Sequence, residues 1–185
     1  MARSMPLGEA VLDPRLEVSA PASPEDAISL LRADHRQVAG WFQQYGRARS
    51  RGRKQELVRK ICRALTVHMA IKEDIFYPAF LDATGNTVMY REAGVDDMVA
   101  ADVIEAIEAS DPEDYFDAKI SVLAEMMRRH VEAQESPGGM LSAATNSEMD
   151  LERLGDQMLA RKKQLQYIFS NFRRASSQSV TAMYD

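Results

Sequence analysis

The feature that most constrains the fold is the recurrence of apolar residues every three or four positions over long segments of the chain. This spacing places apolar side chains along one face of an α-helix, whereas a half-buried strand requires strict alternation. Helices are predicted at about 23–48, 53–81, 87–109, 112–135 and 148–172, with a short helical piece at 140–145. Because long helices joined by short turns favour antiparallel neighbours, the sequence predicts an all-α, up-and-down four-helix bundle with an additional C-terminal helix.

Local signals divide the chain further. Ser23-Pro24-Glu25-Asp26 predicts a helix start, because serine caps a helix, proline suits the first helical position and acids suit the first turn. Pro78 is expected to bend or loosen the end of the second helix. The predicted organisation is a flexible N-terminal arm at 1–22, a helical bundle at 23–172 and a flexible tail at 173–185.

Composition excludes several function classes. The net charge is -5 and no face is rich in Lys and Arg, so nucleic acid is not expected as a partner; the basic run 47–54 is interpreted as a solvated turn. No apolar run approaches the ~20 residues of a membrane-spanning helix, and residues 1–22 lack the apolar region of a signal peptide. Cys62 is the only cysteine. Without an internal disulfide, a reducing, cytoplasmic location is the default expectation.

The informative residues are polar ones that interrupt the apolar stripes. The three histidines, His35, His68 and His130, occupy such gaps, each on a different predicted helix. Further gaps are occupied by Lys72, Asp97 and Gln134. Buried polar groups need partners, so these side chains are expected to share either a metal ion or a metal-free polar network.

Several segments together resemble the hemerythrin HHE cation-binding family over roughly residues 26–166. The resemblance is carried by Leu31-Arg-Ala-Asp-His35, His68-Met-Ala-Ile-Lys-Glu-Asp-Ile-Phe-Tyr-Pro78, Asp111-Pro-Glu-Asp, His130-Val-Glu-Ala-Gln-Glu135 and Leu159-Ala-Arg-Lys-Lys-Gln-Leu165. It implies a four-helix bundle that holds two non-haem irons and binds dioxygen, nitric oxide or iron, in many cases without catalysed turnover.

The resemblance implies metal ligands at three positions, where His35, His68 and His130 match the family's histidines. Two carboxylates are further candidates. Asp97 belongs to the Asp-Asp pair that stands where the third helix of the family usually offers a histidine. Glu135 lies five residues after His130, where some members place a bridging acid.

Two positions depart from the family pattern in a way that changes the charge of the site. Lys72 stands where the family has a bridging glutamate, and Gln134 stands at the usual position of the second bridging acid. An ammonium ~4 Å from a dication at an effective dielectric constant of ~20 would cost roughly 8 kcal/mol. A two-metal centre is therefore not expected.

Two interpretations of the pocket remain. In the favoured one, Lys72 replaces metal charge and pairs with Asp97 or Glu135, with the histidines as neutral partners and no metal cofactor. In the other, one metal ion, with iron, zinc or manganese all suited to the ligands, is held by the three histidines and closed by Asp97 or Glu135.

The functional hypothesis is a hemerythrin-like binding or regulatory protein with a partly degraded metal pocket. Such a protein would act through a protein partner or by sensing, in an oxygen- or redox-linked stress response, and binding is favoured over catalysis. The first alternative is a non-haem iron protein that binds dioxygen, nitric oxide or iron through a mononuclear or asymmetric dinuclear centre. The second is a metal-free interaction module whose last helix docks a partner. The oligomeric state is left open.

Overall fold

The described part of the chain is entirely helical. The computed structural model describes residues 26–110 and 116–181, with side chains described to Asn171, and contains no β-strand in these ranges. The predicted all-α class is therefore confirmed. The elements are α1 (Ala27–Arg47), α2 (Arg51–Ile71), a π-helical turn (Lys72–Phe76), α3 (Tyr77–Thr84), α4 (Thr87–Glu108), α5 (Phe116–Glu135), α6 (Met140–Thr145) and α7 (Leu151–Thr181).

The first two helices begin at side-chain caps. The Asp26 carboxylate accepts a hydrogen bond from the Ser29 backbone N–H at 2.7 Å, so the observed cap of α1 is Asp26. The prediction that the first helix begins at a Ser23 cap is therefore wrong. Ser23 and the predicted arm at 1–22 lie outside the described residues. Ser50 caps α2 by accepting from the Arg53 N–H. The basic run 47–54, predicted as a turn, thus contributes half of its residues to the start of α2.

The α2 helix continues into α3 through a wider turn. The Tyr77 N–H donates to the Lys72 carbonyl, five residues back, which defines one π-helical turn. Pro78 follows directly, and proline has no N–H to donate while its ring crowds the carbonyl four residues before it. The loosening expected near Pro78 is present, and it falls just before the proline. Gly85, with a positive φ of 63°, then ends α3 in the left-handed conformation that glycine adopts without steric cost.

The apolar core forms two clusters along the bundle. One contains Leu31 of α1, Ile71 of α2 and Ala93 of α4, and the other contains Val38, Leu65 and Ala100 of the same helices. Between the clusters lies a polar layer, which we define as the buried side chains of Asp34, His35, His68, Lys72, Asp97, His130 and Gln134. The helical repeat that builds the core thus also brings these polar side chains to one level.

The last helix closes one side of the bundle by packing on α1 and α2. At Gly155 the backbones approach so closely that a Cβ atom would lie 2.7 Å from the carbonyl carbon of Asp26. The helix reaches Thr181, so its predicted end at about 172 is wrong; the flexibility predicted for the tail stays a prediction. None of the described helices combines the length and the hydropathy that crossing a membrane requires.

Candidate functional site

An ion pair between two helices lies at the centre of the polar layer. The Lys72 Nζ atom donates to Asp97 Oδ1 at 2.8 Å, and the two side chains are 0% and 2% exposed. The other carboxylate oxygen of Asp97 accepts from the Tyr77 hydroxyl at 2.7 Å. Burial lowers the pKa of the Lys72 ammonium, while the charge of Asp97 opposes that shift. Of the two partners that the sequence left open for Lys72, Asp97 and Glu135, the structure shows Asp97.

The three histidines share one hydrogen-bonding arrangement, in which Nδ1 faces a carboxylate from another helix. The pairs are His35 Nδ1 with Glu135 Oε1 at 2.6 Å, His68 Nδ1 with Asp34 Oδ2 at 3.3 Å, and His130 Nδ1 with Asp96 Oδ2 at 3.1 Å. A carboxylate at Nδ1 favours the tautomer that carries its proton there. The Nε2 atom of each neutral ring is then left as a lone-pair acceptor.

The Nε2 atoms differ in their partners. His130 Nε2 lies 3.3 Å from Lys72 Nζ and accepts its hydrogen bond. The Nε2 atoms of His35 and His68 have no hydrogen-bond partner within the described residues, and neither does the side-chain amide of Gln134. The rings of His35 and His68 lie close together, with centroids 5.0 Å apart. A buried acceptor without a partner costs free energy, so these two nitrogens are unused hydrogen-bonding capacity inside the polar layer.

The electrostatics keep the histidines neutral. Desolvation lowers the pKa of His68 to about 3, although its hydrogen bond with Asp34 acts in the opposite direction. Burial also lowers the pKa of His35 and of His130. For Asp34, burial alone would raise the pKa, but the hydrogen bond with His68 and the charge of Lys162 hold it below the ordinary value. The polar layer therefore contains neutral imidazoles beside carboxylates whose charges are compensated.

A cavity of about 310 Å³ opens from the polar layer towards the surface between α1 and α5. One end of it is polar and includes His35, His68 and Lys72. The remaining wall is largely apolar and consists of Val38, Ala39, Phe42, Leu65, Met69, Ala124, Met127 and Val131, together with the stems of Gln43 and Arg128. Its volume lies at the lower end of the range that small-molecule sites occupy.

Four of the five predicted metal ligands, His35, His68, His130 and Asp97, line the same cavity. His130 and Asp97 both contact Lys72, whereas His35 and His68 lie beside one another. Glu135 contacts the Nδ1 atom of His35 and is about one-third exposed, which places it behind the imidazole ring. Within residues 26–110 and 116–171, no three His, Cys, Asp or Glu side chains are grouped as a metal ion would require.

Sequence reasoning missed four residues of the site. Asp34 could have been found, since it lies three residues after Leu31 and four after Leu30 and so shares their buried face. Asp96 reaches the layer from an exposed position, as the partner of His130, and Lys162 from a partly exposed one, as the partner of Asp34. Their sequence positions give no such signal. Tyr77 follows Lys72 by five residues, and the π-helical turn brings both to Asp97.

Comparison with known proteins identifies the family of the chain and supports its fold. Residues 26–136 match the sequence model of the hemerythrin HHE cation binding domain, which is more than half of the chain. The chain belongs to the hemerythrin HHE cation binding domain family. A crystal structure of a hemerythrin HHE cation binding domain-containing protein from Mycobacterium kansasii superposes with a TM-score of 0.62 at 20% identity, covering 76% of this chain and 86% of that one. It supports the hemerythrin-like helical bundle. No curated protein matches the chain significantly.

The residues of this hemerythrin HHE domain do not fit the two-iron centre that the family resemblance implies. A cation is already present between Asp97 and His130, namely the ammonium of Lys72, which donates hydrogen bonds to both. Each of those two groups would have to exchange the ammonium for a metal ion before it could act as a ligand. The Nε2 atoms of His35 and His68 remain without a hydrogen-bond partner among the described residues, although the Nδ1 atoms of both rings face carboxylates.

Proposed function

We propose that this hemerythrin HHE domain protein is a non-catalytic binding protein whose interior cation is Lys72 and which assembles no two-iron centre. The observation that carries the proposal is the position of Lys72 Nζ, 2.8 Å from Asp97 Oδ1 and 3.3 Å from His130 Nε2. The remaining polar end of the cavity would bind a ligand. Ligand binding would change the interaction with a protein partner in an oxygen- or redox-linked response.

The energetics support this assignment. Both charges are buried, so removing the ammonium from Asp97 would leave a carboxylate without compensation, at a cost of about 3–5 kcal/mol. The pair is also satisfied from both sides, because Asp97 accepts from Tyr77 and Lys72 donates to His130. A metal ion that entered here would first have to displace this network, and it would then meet the repulsion of the displaced ammonium.

A second candidate function is favoured by the histidine tautomers. A carboxylate at Nδ1 with a lone pair at Nε2 is the arrangement in which histidines ligate metal ions. His35 and His68 both have it, with their Nε2 atoms unpartnered. These two residues would hold one metal ion, with iron, zinc or manganese suited to imidazole ligands, and the remaining ligands would come from outside the protein.

Metal analysis distinguishes these functions. The full chain is purified from iron-supplemented cells as wild type, Lys72→Glu and Lys60→Glu, and the metal content per chain is measured. Lys60 is a matched control, because its ammonium pairs with Glu56 on the surface. We expect no stoichiometric iron in the wild type and in Lys60→Glu, and a gain in Lys72→Glu, where a carboxylate replaces the ammonium beside His130.

Two irons per wild-type chain, with the absorption of an oxo bridge, would contradict the proposed function. One metal ion per wild-type chain that is lost in the double variant His35→Ala and His68→Ala would favour the second candidate.

A further inference from the structure

The outer side of α4 carries a second apolar stripe, in addition to the one that faces the core. Val88, Val95 and Val99 are 64%, 53% and 43% exposed, and Ala106 is exposed as well. These residues lie within one narrow strip of the helix surface, about 140° round the helix from the buried stripe. Val122 of α5, also exposed, extends the strip across a shallow apolar groove between the two helices. We define these five residues as the outer face, and a contiguous exposed apolar surface of this kind marks an interaction site.

The spacing of the valines along α4 is self-complementary. Val95 and Val99 lie two residues before and after the level of Asp97, and Val88 and Ala106 lie nine residues before and after it. A two-fold axis that crosses the outer face at this level would place Val95 of one copy against Val99 of the other. It would also place Val88 against Ala106, about 13–14 Å from the axis. An antiparallel pair of α4 helices therefore matches the apolar strip with itself.

The charges beside the outer face follow the same symmetry. Arg91 lies six residues before the level of Asp97 and Asp102 lies five residues after it, and Arg91 and Asp102 are both exposed. Neither of these two side chains has an ion-pair partner within the described residues. They lie along the same edge of the strip, about 20° apart round the helix. Across the two-fold axis, each Arg91 would therefore lie beside Asp102 of the other copy, so that each copy offers the charge that the other lacks.

We propose that the outer face binds a second copy of this chain, which gives a two-fold symmetric dimer with antiparallel α4 helices and with Arg91 of each copy paired with Asp102 of the other. A self-complementary surface is what a two-fold contact requires, because the same residues contribute to both sides. Since α4 carries Asp97 on its inner side, the axis would cross the bundle at the level of the polar layer. The inference is independent of the proposed function, because none of these interface residues lines the cavity.

The molar mass of the full chain in solution tests the inference. Sedimentation equilibrium over a series of protein concentrations gives the dissociation constant of the dimer. We expect a reversible dimer with a dissociation constant in the micromolar range, because the apolar strip is short and the ion pairs at its edge stay partly solvated. The dimer should weaken as salt is added, since the paired charges are screened.

One pair of variants locates the interface. Val99→Asp places a carboxylate near the axis in both copies, and Ile168→Asp, on α7, is its matched control, because Ile168 is an equally apolar side chain that is 50% exposed. We expect Val99→Asp to raise the dissociation constant at least tenfold and Ile168→Asp to leave it unchanged. Both side chains are exposed, so the fold should be retained, and far-UV circular dichroism checks this for each variant.

A charge exchange tests the relative orientation of the two copies. Arg91→Glu and Asp102→Arg should each weaken the dimer at least threefold, because each creates two like-charge contacts across the axis. The double variant with both substitutions should return to about the wild-type dissociation constant. Arg91 and Asp102 lie about 16 Å apart along one helix, so they cannot pair within a copy, and a recovery must come from contacts between copies.

A wild-type chain that stays monomeric up to about 1 mM would overturn the inference, since any specific contact would then be weaker than about 4 kcal/mol. So would a dimer that Ile168→Asp weakens and Val99→Asp does not. A double charge variant that is no stronger than either single variant would overturn the antiparallel pairing. None of these results depends on metal content, so they leave the test of the proposed function separate.

Discussion

Lys72 Nζ and Asp97 Oδ1 lie 2.8 Å apart between two apolar core clusters, where both side chains are almost completely excluded from water. A buried pair of this kind contributes little net stability compared with a well-packed apolar pair. Removing only one of its two charges, however, lowers the stability of the fold strongly. The pair joins the π-helical turn to α4.

Removing only the ammonium should destabilise the fold strongly. We expect Lys72→Met to lower the free energy of unfolding by about 3–5 kcal/mol, because Asp97 is left as an uncompensated buried charge. In the double variant Lys72→Met and Asp97→Leu most of that loss should be recovered. Urea denaturation measures both, and Lys60→Met, at the surface, should change little. Equal stability of wild type and Lys72→Met would show that the pair is not buried in solution.

Acid should destabilise the protein through its histidines. The folded-state pKa values of His35, His68 and His130 are lowered, that of His68 to about 3, so the unfolded chain binds more protons once the pH falls below about 6.5. Stability is thus fully present above that pH and lost progressively below it, by an amount on the order of a few kcal/mol.

Denaturation midpoints between pH 7.5 and pH 4.5 measure this dependence. The variant His68→Gln, which removes one titrating ring, should show a shallower slope over the same range. A midpoint that does not change down to pH 4.5 would contradict the burial of neutral imidazoles.

The hydroxyl of Tyr77 should contribute more to the stability of the fold than the hydroxyl of Tyr90. Burial and the charge of Asp97 raise the pKa of the Tyr77 phenol, so it stays a donor to Asp97 Oδ2. We expect Tyr77→Phe to cost about 1.5–3 kcal/mol, the range for a hydrogen bond to a charged group. Tyr90→Phe is the control, since the Tyr90 ring packs edge-on against Tyr77. Chemical denaturation measures the free energy of unfolding of both variants. An equal decrease in the two would argue against the Tyr77–Asp97 hydrogen bond.

Much of the polar layer was predictable from the sequence. His35 and Lys72 interrupt apolar stripes of period 3.6, which is why their burial could be foreseen. The pairing of two histidines with their carboxylates could not be foreseen. Glu135 reaches His35 from a partly exposed position and Asp96 reaches His130 from an exposed one. Such contacts depend on the rotation and spacing of neighbouring helices.

The boundaries of the helices were harder to predict from the sequence than their buried faces. A bend or loosening is expected from the sequence near Pro78, in the last turn of the second helix, whereas the wider turn lies earlier, over Lys72–Phe76. The end of α7 was placed at about 172 because the sequence becomes Ser-rich there, yet helical backbone continues to Thr181. Serine is a weak helix former without being a helix terminator.

Two glycine-to-alanine substitutions should change the stability of the fold in opposite directions. At Gly155 a Cβ atom would lie 2.7 Å from the Asp26 carbonyl carbon, so Gly155→Ala must displace α7 from α1 and should lower stability. At Gly40, within α1, a Cβ atom meets nothing within 4 Å, so Gly40→Ala should raise stability by about 0.5–1 kcal/mol through helix propensity. Thermal unfolding of the two variants tests the packing of α7, and stabilisation by both would contradict it.

The central claim, that the Lys72 ammonium is the interior cation, is tested most directly by anomalous X-ray diffraction at the iron edge from crystals of the full chain soaked in ferrous iron. The account predicts no anomalous peak between Asp97 and His130, and density for the Lys72 side chain within hydrogen-bonding distance of both. A pair of iron peaks bridged at that position, with Lys72 turned away, would contradict it.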